Sequence, residues 1–368
     1  MITIVYPQFY GVGGIARYLD SFLSNLPSDY PLVYLITGDE HRELRNYPNV
    51  EIIHIPFTSS RFNLFVWGWK ARKELIRLHD EGKIKAINLH FPPMIPGLFI
   101  PRNIPTILTV HSTYLGMSGN FYPEKFYASE INWLTLKIKM WMESYIYKNS
   151  SKAITLTEFG REQMYAYGYN KPITIVPNGV DLKQFMIATD SIKDIDVVFT
   201  GRIEKLKGCN GMVEVCRRLV EKKKDILIYI VGYGEEEDWV RQQLADLSKN
   251  IVMTGKVPFS EMMGYYNRSR TYASASYYEG LPGTCLEAMA MGLPAVVWDF
   301  LFYRGLVVEG VTGSLVKPND FSGMVEQILN LLASPDRAVE MGKKGRVLLE
   351  QEYDWNKLAR DVLSVFEK

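Results

Sequence analysis

Cysteine is scarce in this chain, with three in 368 residues. Cys209, Cys216 and Cys285 are odd in number and lack CxxC spacing, which excludes a disulfide framework and a cysteine zinc site and fits a reducing cytoplasm. Charge of one sign is lacking too. Lys+Arg number 42 against 41 Asp+Glu, a formal net charge of +1 with no like-charged tail, so nucleic acid is not an expected partner. No segment reaches the roughly 18 apolar residues that a membrane span needs. The opening run from Met1 to Pro7 has no basic n-region, so a soluble or peripheral protein is expected. Low-complexity stretches and short-period repeats are absent as well.

What is present is an ordinary globular composition, 47% hydrophobic and 23% charged, at a length that suits two domains. Short β-branched apolar runs alternate with amphipathic segments, the pattern of parallel sheets covered by helices. The first half predicts strands at Ile2–Tyr6, Leu32–Thr37, Val50–Ile55, Ala86–His90, Thr106–His111, Ala153–Thr157 and Ile173–Val176. The second predicts Val197–Thr200, Ile226–Val231, Ile251–Thr254, Thr271–Ala275 and Ala295–Trp298. The expected fold is α/β, two doubly wound Rossmann-like domains, with the break in the turn-rich segment Pro177–Lys193. The division predicted is 1–180, 181–350 and a terminal segment 351–368. Ligands of such sheets bind beyond the carboxyl ends of the strands, so two domains facing one cleft put function on the loops after strands.

Gly11-Val12-Gly13-Gly14-Ile15-Ala16 satisfies GxGxxA between a strand and an apparent helix. In the dinucleotide fingerprint the first glycine follows the strand at once; here Tyr6 to Tyr10 intervene, too long a loop for that tight turn. Gly13 and Gly14 either present backbone N–H groups to an anion or hydroxyl or serve as a turn alone. A second pair, Gly232 and Gly234, precedes the acidic run Glu235 to Asp238, which repels pyrophosphate and suits a solvated helix start.

In the second half, Arg202 and Lys207 lie on the loop after a strand, where a planar fork and a point charge can share a diphosphate or remain solvated surface. The segment Tyr278 to Pro294 carries Glu279 in a Gly/Pro loop and Glu287 one turn into a helix that starts near Gly283-Thr284 and stops at Gly292-Leu293-Pro294. Carboxylates accept hydrogen bonds from sugar and ribose hydroxyls, and first-turn amides suit phosphate. That combination fits a sugar nucleotide.

These residues resemble the retaining glycosyltransferases of family four, of GT-B fold. The resemblance runs through Gly13-Gly14-Ile15-Ala16-Arg17, Thr109-Val110-His111, Thr155 to Phe159, Val176 to Asp181, Gly201-Arg202 with Lys207-Gly208, the E-x7-E element Glu279 to Glu287, and Gly310 to Pro318. It implies an N-terminal acceptor domain, a C-terminal nucleotide-sugar donor domain and a last helix, around Trp355 to Phe366, that returns to the first domain. It implies that Arg202 and Lys207 hold the diphosphate, Glu279 the sugar hydroxyls, Glu287 the ribose, and Gly283 and Thr284 the phosphate. Gly13 and Gly14 would then lie beside phosphate and acceptor. His111 would meet the donor sugar, unless it merely ends a buried strand as His90 does. Neither a metal nor a cofactor is implied, and the product is expected in cell-surface glycan biosynthesis.

One departure is the bulky run Asp299-Phe300-Leu301-Phe302-Tyr303-Arg304-Gly305, where the family has a small glycine-rich turn; it reads as an aromatic wall beside the donor. Asp194-Ile195-Asp196 matches a metal-binding DxD, but it lies before the strand at Val197, away from the cleft. Alternatives are a sugar-nucleotide epimerase of the same fold and a nucleotide-sugar-binding protein without turnover. Residues 1–180 hold 18 Lys+Arg against 14 Asp+Glu, leaving 24 against 27. With Phe62 to Lys73 and the aromatic stretch Phe121 to Tyr147, that surplus suggests a lipid-linked acceptor and peripheral contact at the inner membrane face; core-facing helices are the competing reading.

Overall fold

The computed structural model describes residues 1–9, 13–38, 47–56, 61–93, 95–119, 121–122, 132–188 and 192–367. Gly11 and Val12 of the first glycine loop lie outside the described residues. The chain divides into two units. One holds the described residues of 1–121, 132–179 and 355–367, and the other holds Tyr122 and Val180–Asp354.

The first unit carries seven parallel strands among the described residues: β1 Ile2–Val5, β2 Val33–Thr37, β3 Val50–His54, β4 Ala86–Phe91, β5 Thr106–Val110, β6 Lys152–Thr155 and β7 Ile173–Ile175. Their order is β3-β2-β1-β4-β5-β6-β7. Helices α1 Gly14–Ser24, α2 Arg61–Asp80, α3 Tyr114–Met117, α4 Trp133–Asn149 and α5 Glu158–Ala166 connect them. The twofold period of a strand sorts side chains to opposite faces. On β4, Ile87, Leu89 and Phe91 join Trp67, Ala71 and Leu75 of α2 and Ile146 and Tyr147 of α4 in one core. Asn88 and His90 alternate with them and are buried too, and His90 lies against Tyr18 of α1.

The second unit has β8 Ile195–Thr200, β9 Ile228–Val231, β10 Ile251–Gly255, β11 Ser269–Ser274, β12 Ala295–Trp298 and β13 Gly313–Val316. The order β10-β9-β8-β11-β12-β13 is the 3-2-1-4-5-6 order of a doubly wound nucleotide-binding sheet. Its helices are α6 Cys209–Lys222, α7 Glu237–Gln243, α8 Phe259–Arg268, α9 Gly283–Ala290, α10 Phe321–Ala333 and α11 Pro335–Glu352. All twelve predicted strands occur; β13 was not predicted, being four residues inside the glycine-flanked run Gly310 to Pro318. A last helix, α12 Trp355–Glu367, belongs to the first unit. It buries Trp355, Leu358, Ala359, Val362 and Leu363 on one stripe, with the Trp355 ring 4.9 Å from Tyr18 and 6.3 Å from Phe22 of α1. Among the described residues no helix is long and apolar enough to cross a membrane.

Candidate functional site

In a doubly wound sheet the strand order reverses at one point, and the loops leaving the two strands there open a crevice. In the second unit those strands are β8 and β11, whose loops carry Arg202, Lys207 and Glu279. Lys207 Nζ donates to Glu279 Oε2 at 2.5 Å, so the ion pair bridges the switch point. Ser276 Oγ donates to the other carboxylate oxygen at 2.9 Å. The Lys207 loop is held by Gly208, whose φ of +71° is left-handed and whose added Cβ would stand 1.8 Å from the Ala275 carbonyl oxygen. Only glycine fits there. Arg202 is engaged elsewhere, pairing with Glu204 at 2.6 Å while its side chain stays 63% exposed. Its loop is tied to the second glycine pair by Ile203 N donating to Tyr233 O at 3.0 Å and Glu236 N donating to Ile203 O at 3.0 Å. A Cβ on Gly234 would fall 2.3 Å from Ile203 O, so that pair packs the Arg202 loop, and Glu237 and Asp238 open α7 as expected.

Helix α9 starts at Gly283 after Pro282, with no side-chain cap on its first turn and nothing within 4 Å of a Cβ on Gly283. The Thr284 hydroxyl is turned inward, 3.0 Å from Tyr272 OH, so what Thr284 can offer a phosphate is its backbone amide. Glu287 is buried at 7% exposure and accepts from Tyr266 OH at 3.0 Å. Tyr266 OH also sits 3.0 Å from Thr200 Oγ1. Burial, then the charge of Glu287, pushes the Tyr266 phenol well above its ordinary range, so it stays a donor.

In the first unit Gly13 and Gly14 open α1, exposed and without a side-chain cap. Beyond β5, His111 belongs to a polar row that crosses the sheet. Asn88 Nδ2 donates to Ile107 O at 3.1 Å and Thr109 Oγ1 at 2.9 Å. Its Oδ1 therefore accepts from His90 Nε2 at 2.8 Å, and His90 Nδ1 is left to accept from His111 Nε2 at 3.0 Å. Both rings are neutral: burial lowers His111 to about 3, and burial plus the neighbouring ring lowers His90 well below its usual value. His111 thus keeps Nδ1 as an acceptor, with Tyr18 edge-on at 4.8 Å.

Two expectations need correction. The run Asp299 to Gly305 does not present an aromatic wall: Phe300, Phe302 and Tyr303 are buried, with Phe300 stacked on Phe302 and Tyr303 OH donating to Ser274 Oγ at 2.8 Å. Arg304 faces out, paired with Asp299 at 2.7 Å. The DxD does not lie wholly before its strand, because β8 begins at Ile195. Asp194 pairs with Arg268 at 2.6 Å, and Asp196 accepts from Leu227 N at 2.9 Å. Sequence reasoning missed Ser276, Tyr266 and Asn88, which orient their neighbours. The signal for the last was polar residues two apart, Asn88 with His90 and Thr109 with His111, inside otherwise apolar strands.

Comparison with known proteins adds two family patterns, one described as Glycosyl transferases group 1 over residues 186–348 and one as Glycosyltransferase Family 4 over residues 12–184. The chain is 25% identical over 224 residues, 55% of its length, to the GDP-mannose-dependent monoacylated alpha-(1-6)-phosphatidylinositol monomannoside mannosyltransferase of Corynebacterium glutamicum, and spans 58% of that relative. The fold matches sucrose-phosphate synthase from Thermosynechococcus elongatus with a TM-score of 0.82 at 18% identity, covering 100% of this chain and 98% of that one. It also matches Anabaena HepE, solved in complex with UDP and glucose, with a TM-score of 0.76 at 13% identity, covering 100% and 99%.

Proposed function

The chain belongs to glycosyltransferase family 4, and from that premise we propose that it moves a sugar from a nucleotide-diphosphate donor onto a glycan or lipid-linked acceptor, with retention of configuration and without a metal or cofactor. The observation that carries this reading is the pair Lys207–Glu279, brought together across the switch point from positions 72 residues apart, beside the uncapped start of α9. A diphosphate carries more charge than one carboxylate and competes for Lys207. In this reading it takes the lysine from Glu279, Arg202 swings from Glu204 to join it, and the freed carboxylate accepts from sugar hydroxyls. Glu287, held by Tyr266, takes the ribose, and the amides of Gly283 and Thr284 complete the phosphate site.

As the bond from the anomeric carbon to the phosphate oxygen stretches, negative charge collects on the diphosphate, where Arg202 and Lys207 stabilise it. The acceptor oxygen enters on the same face and its proton passes to the departing phosphate oxygen, so the nucleoside diphosphate leaves protonated. A double displacement needs two carboxyl groups roughly 5–5.5 Å apart about the anomeric carbon; the roles given to Glu279 and Glu287 leave no such pair. His111, neutral with Nδ1 free to accept, receives a donor-sugar hydroxyl, and Gly13-Gly14 flank phosphate and acceptor. Synthesis of a surface glycan at the cytoplasmic membrane face, through the basic first unit, follows from the same reading and is supported by the phosphatidylinositol-linked acceptor in the name of the Corynebacterium relative.

The test is transfer from UDP-, GDP-, ADP- and dTDP-sugars in excess EDTA, with the product anomer read by NMR. Undiminished turnover and the donor's configuration are expected. Loss restored by Mn²⁺, or an inverted product, would sink the reading.

A further inference from the structure

The first unit holds a cavity of about 400 Å³ that none of the roles above uses. It is an open pocket lined by Arg72 of α2, by Tyr145, Ile146 and Asn149 of α4 and by the segment around Leu98 to Asn103. Two guanidinium groups line it. Arg72 donates to the Phe99 carbonyl at 3.1 Å and Arg102 to Tyr145 OH at 2.5 Å. Both partners are neutral, and neither arginine has a carboxylate partner among the described residues.

The helices that line this cavity also carry an unusual outer surface. On α4 the residues Leu134, Ile138, Trp141, Tyr145 and Asn149 form one stripe that leads into the cavity. Leu134 and Ile138 are exposed, and Trp141, at 67%, stacks on Tyr145. The single acid of α4, Glu143, is buried, so the outward face is apolar and basic. On α2, Phe65 and Trp69 are exposed, and Lys73 sits 3.6 Å over the Trp69 ring; on α4, Lys137 sits 4.1 Å over Trp133, itself 66% exposed. Among the described residues, every exposed tryptophan is in the first unit, whereas the exposed large apolar residues of the second unit include none. Single exposed apolar groups are ordinary, but a contiguous set marks an interaction site. Tryptophan beside lysine is the composition of a membrane–water interface, where the ring lies at headgroup depth and the ammonium reaches phosphate.

We propose that the cavity lined by Arg72 and Arg102 receives the phosphate headgroup of an anionic phospholipid, while the tryptophan–lysine faces of α2 and α4 seat on the bilayer around it. The proposal deepens the membrane contact read above and rests on that part of it. Arg102 is exposed and Arg72 half-buried, so both can meet an anion at the surface without giving up a carboxylate, and the flanking apolar faces favour a lipid over a soluble anion.

The experiment is co-sedimentation of the full chain with vesicles of phosphatidylcholine, alone or mixed with phosphatidylglycerol, scored beside nucleotide affinity. Binding to the anionic vesicles alone is expected, weakened roughly tenfold or more in the double variant R72Q/R102Q and also in W141S, whose exposed position spares the fold. Quenching of tryptophan fluorescence by brominated acyl chains should accompany it and fall in W141S. Equal binding by R72Q/R102Q and the unaltered chain would overturn the headgroup site. Full release by soluble glycerol phosphate would assign the site to a free phosphate instead, and a dimer that buries Trp133 and Trp141 would assign the surface to a second copy. Nucleotide affinity separates the two readings: if the protein binds no nucleotide but still needs Arg72 and Arg102 for anionic vesicles, the transferase reading fails and this one stands.

Discussion

In the second unit the candidate donor residues Glu279, Gly283, Thr284 and Glu287 lie in one continuous loop and helix start. In the first unit, Asn88 and His90 come from β4, His111 from the end of β5 and Tyr18 from α1. The two constellations also differ in charge state. The donor side is ionic and partly open, with Arg202 63% exposed. The histidine row is neutral, its two ring pKa values lowered chiefly by burial. The stretch from Glu279 to Glu287 is prearranged by local geometry, and the sheet's switch point brings Arg202 and Lys207 to it from the loop after β8. A site built from three elements depends on the packing that brings them together. Damage to packing should therefore strike the first unit, and damage to charge should strike the second.

The largest effect is expected from Trp355→Ala, which empties the socket formed by Tyr18 and Phe22. The loss of a buried tryptophan costs about 3–5 kcal/mol. Turnover should vanish as the first unit melts, whereas nucleotide affinity measured by calorimetry should persist; equal loss of both would break the comparison.

Removing charge should act the other way. Lys207→Ala should lower kcat/KM by about tenfold or more at an unchanged melting temperature, because a charge-assisted hydrogen bond is worth about 1.5–3 kcal/mol. Arg202→Ala should match it. Lys223, which pairs with exposed Asp225 at 2.7 Å, is the control, and a comparable fall in Lys223→Ala would discredit the assignment.

The smallest effect on turnover, and the sharpest test of the first unit, concerns Glu143. Burial raises its carboxyl to about 7 despite hydrogen bonds from Tyr167, Tyr147 and the Tyr114 amide. A raised folded pKa means that folding takes up a proton. Its contribution is full below about 4.5 and is lost as pH rises through about 7. The two histidines run oppositely: held neutral, they contribute above about 6.5 and lose that contribution as pH falls. Acidification from pH 7 to 5 therefore strengthens one group and weakens two. Glu143→Gln should steepen the fall in melting temperature over that window, while activity at neutral pH stays nearly constant. An unchanged slope would mean that Glu143 is not protonated in the fold.

The same contrast explains how much of the fold and the site is legible in the sequence. Strand positions and the E-x7-E segment are local patterns, periodic or contiguous, and they lie where expected. The partners of those residues are set by sheet order. Tyr266 behind Glu287 follows from α8 packing beside the switch point, and the link from Asn88 to His111 follows from the register of β4 on β5, which sets Asn88 beside Ile107 and His90 beside Thr109. Pattern alone did not show that Phe300 and Phe302 turn inward, because apolar residues read the same whether they line a cleft or fill a core.

Helix α12 imposes an order of events on synthesis. The socket of Tyr18 and Phe22 on α1 is filled by Trp355, whose codon is read only after the whole second unit has been made. At about 5–20 residues per second, the ribosome needs roughly ten to forty seconds to pass from the end of the first sheet to that tryptophan. During that interval Tyr18 and Phe22 wait for the tryptophan that packs on them in the finished fold. The second unit, whose strands are contiguous in the chain, can be complete first, and the amino-terminal half is finished last.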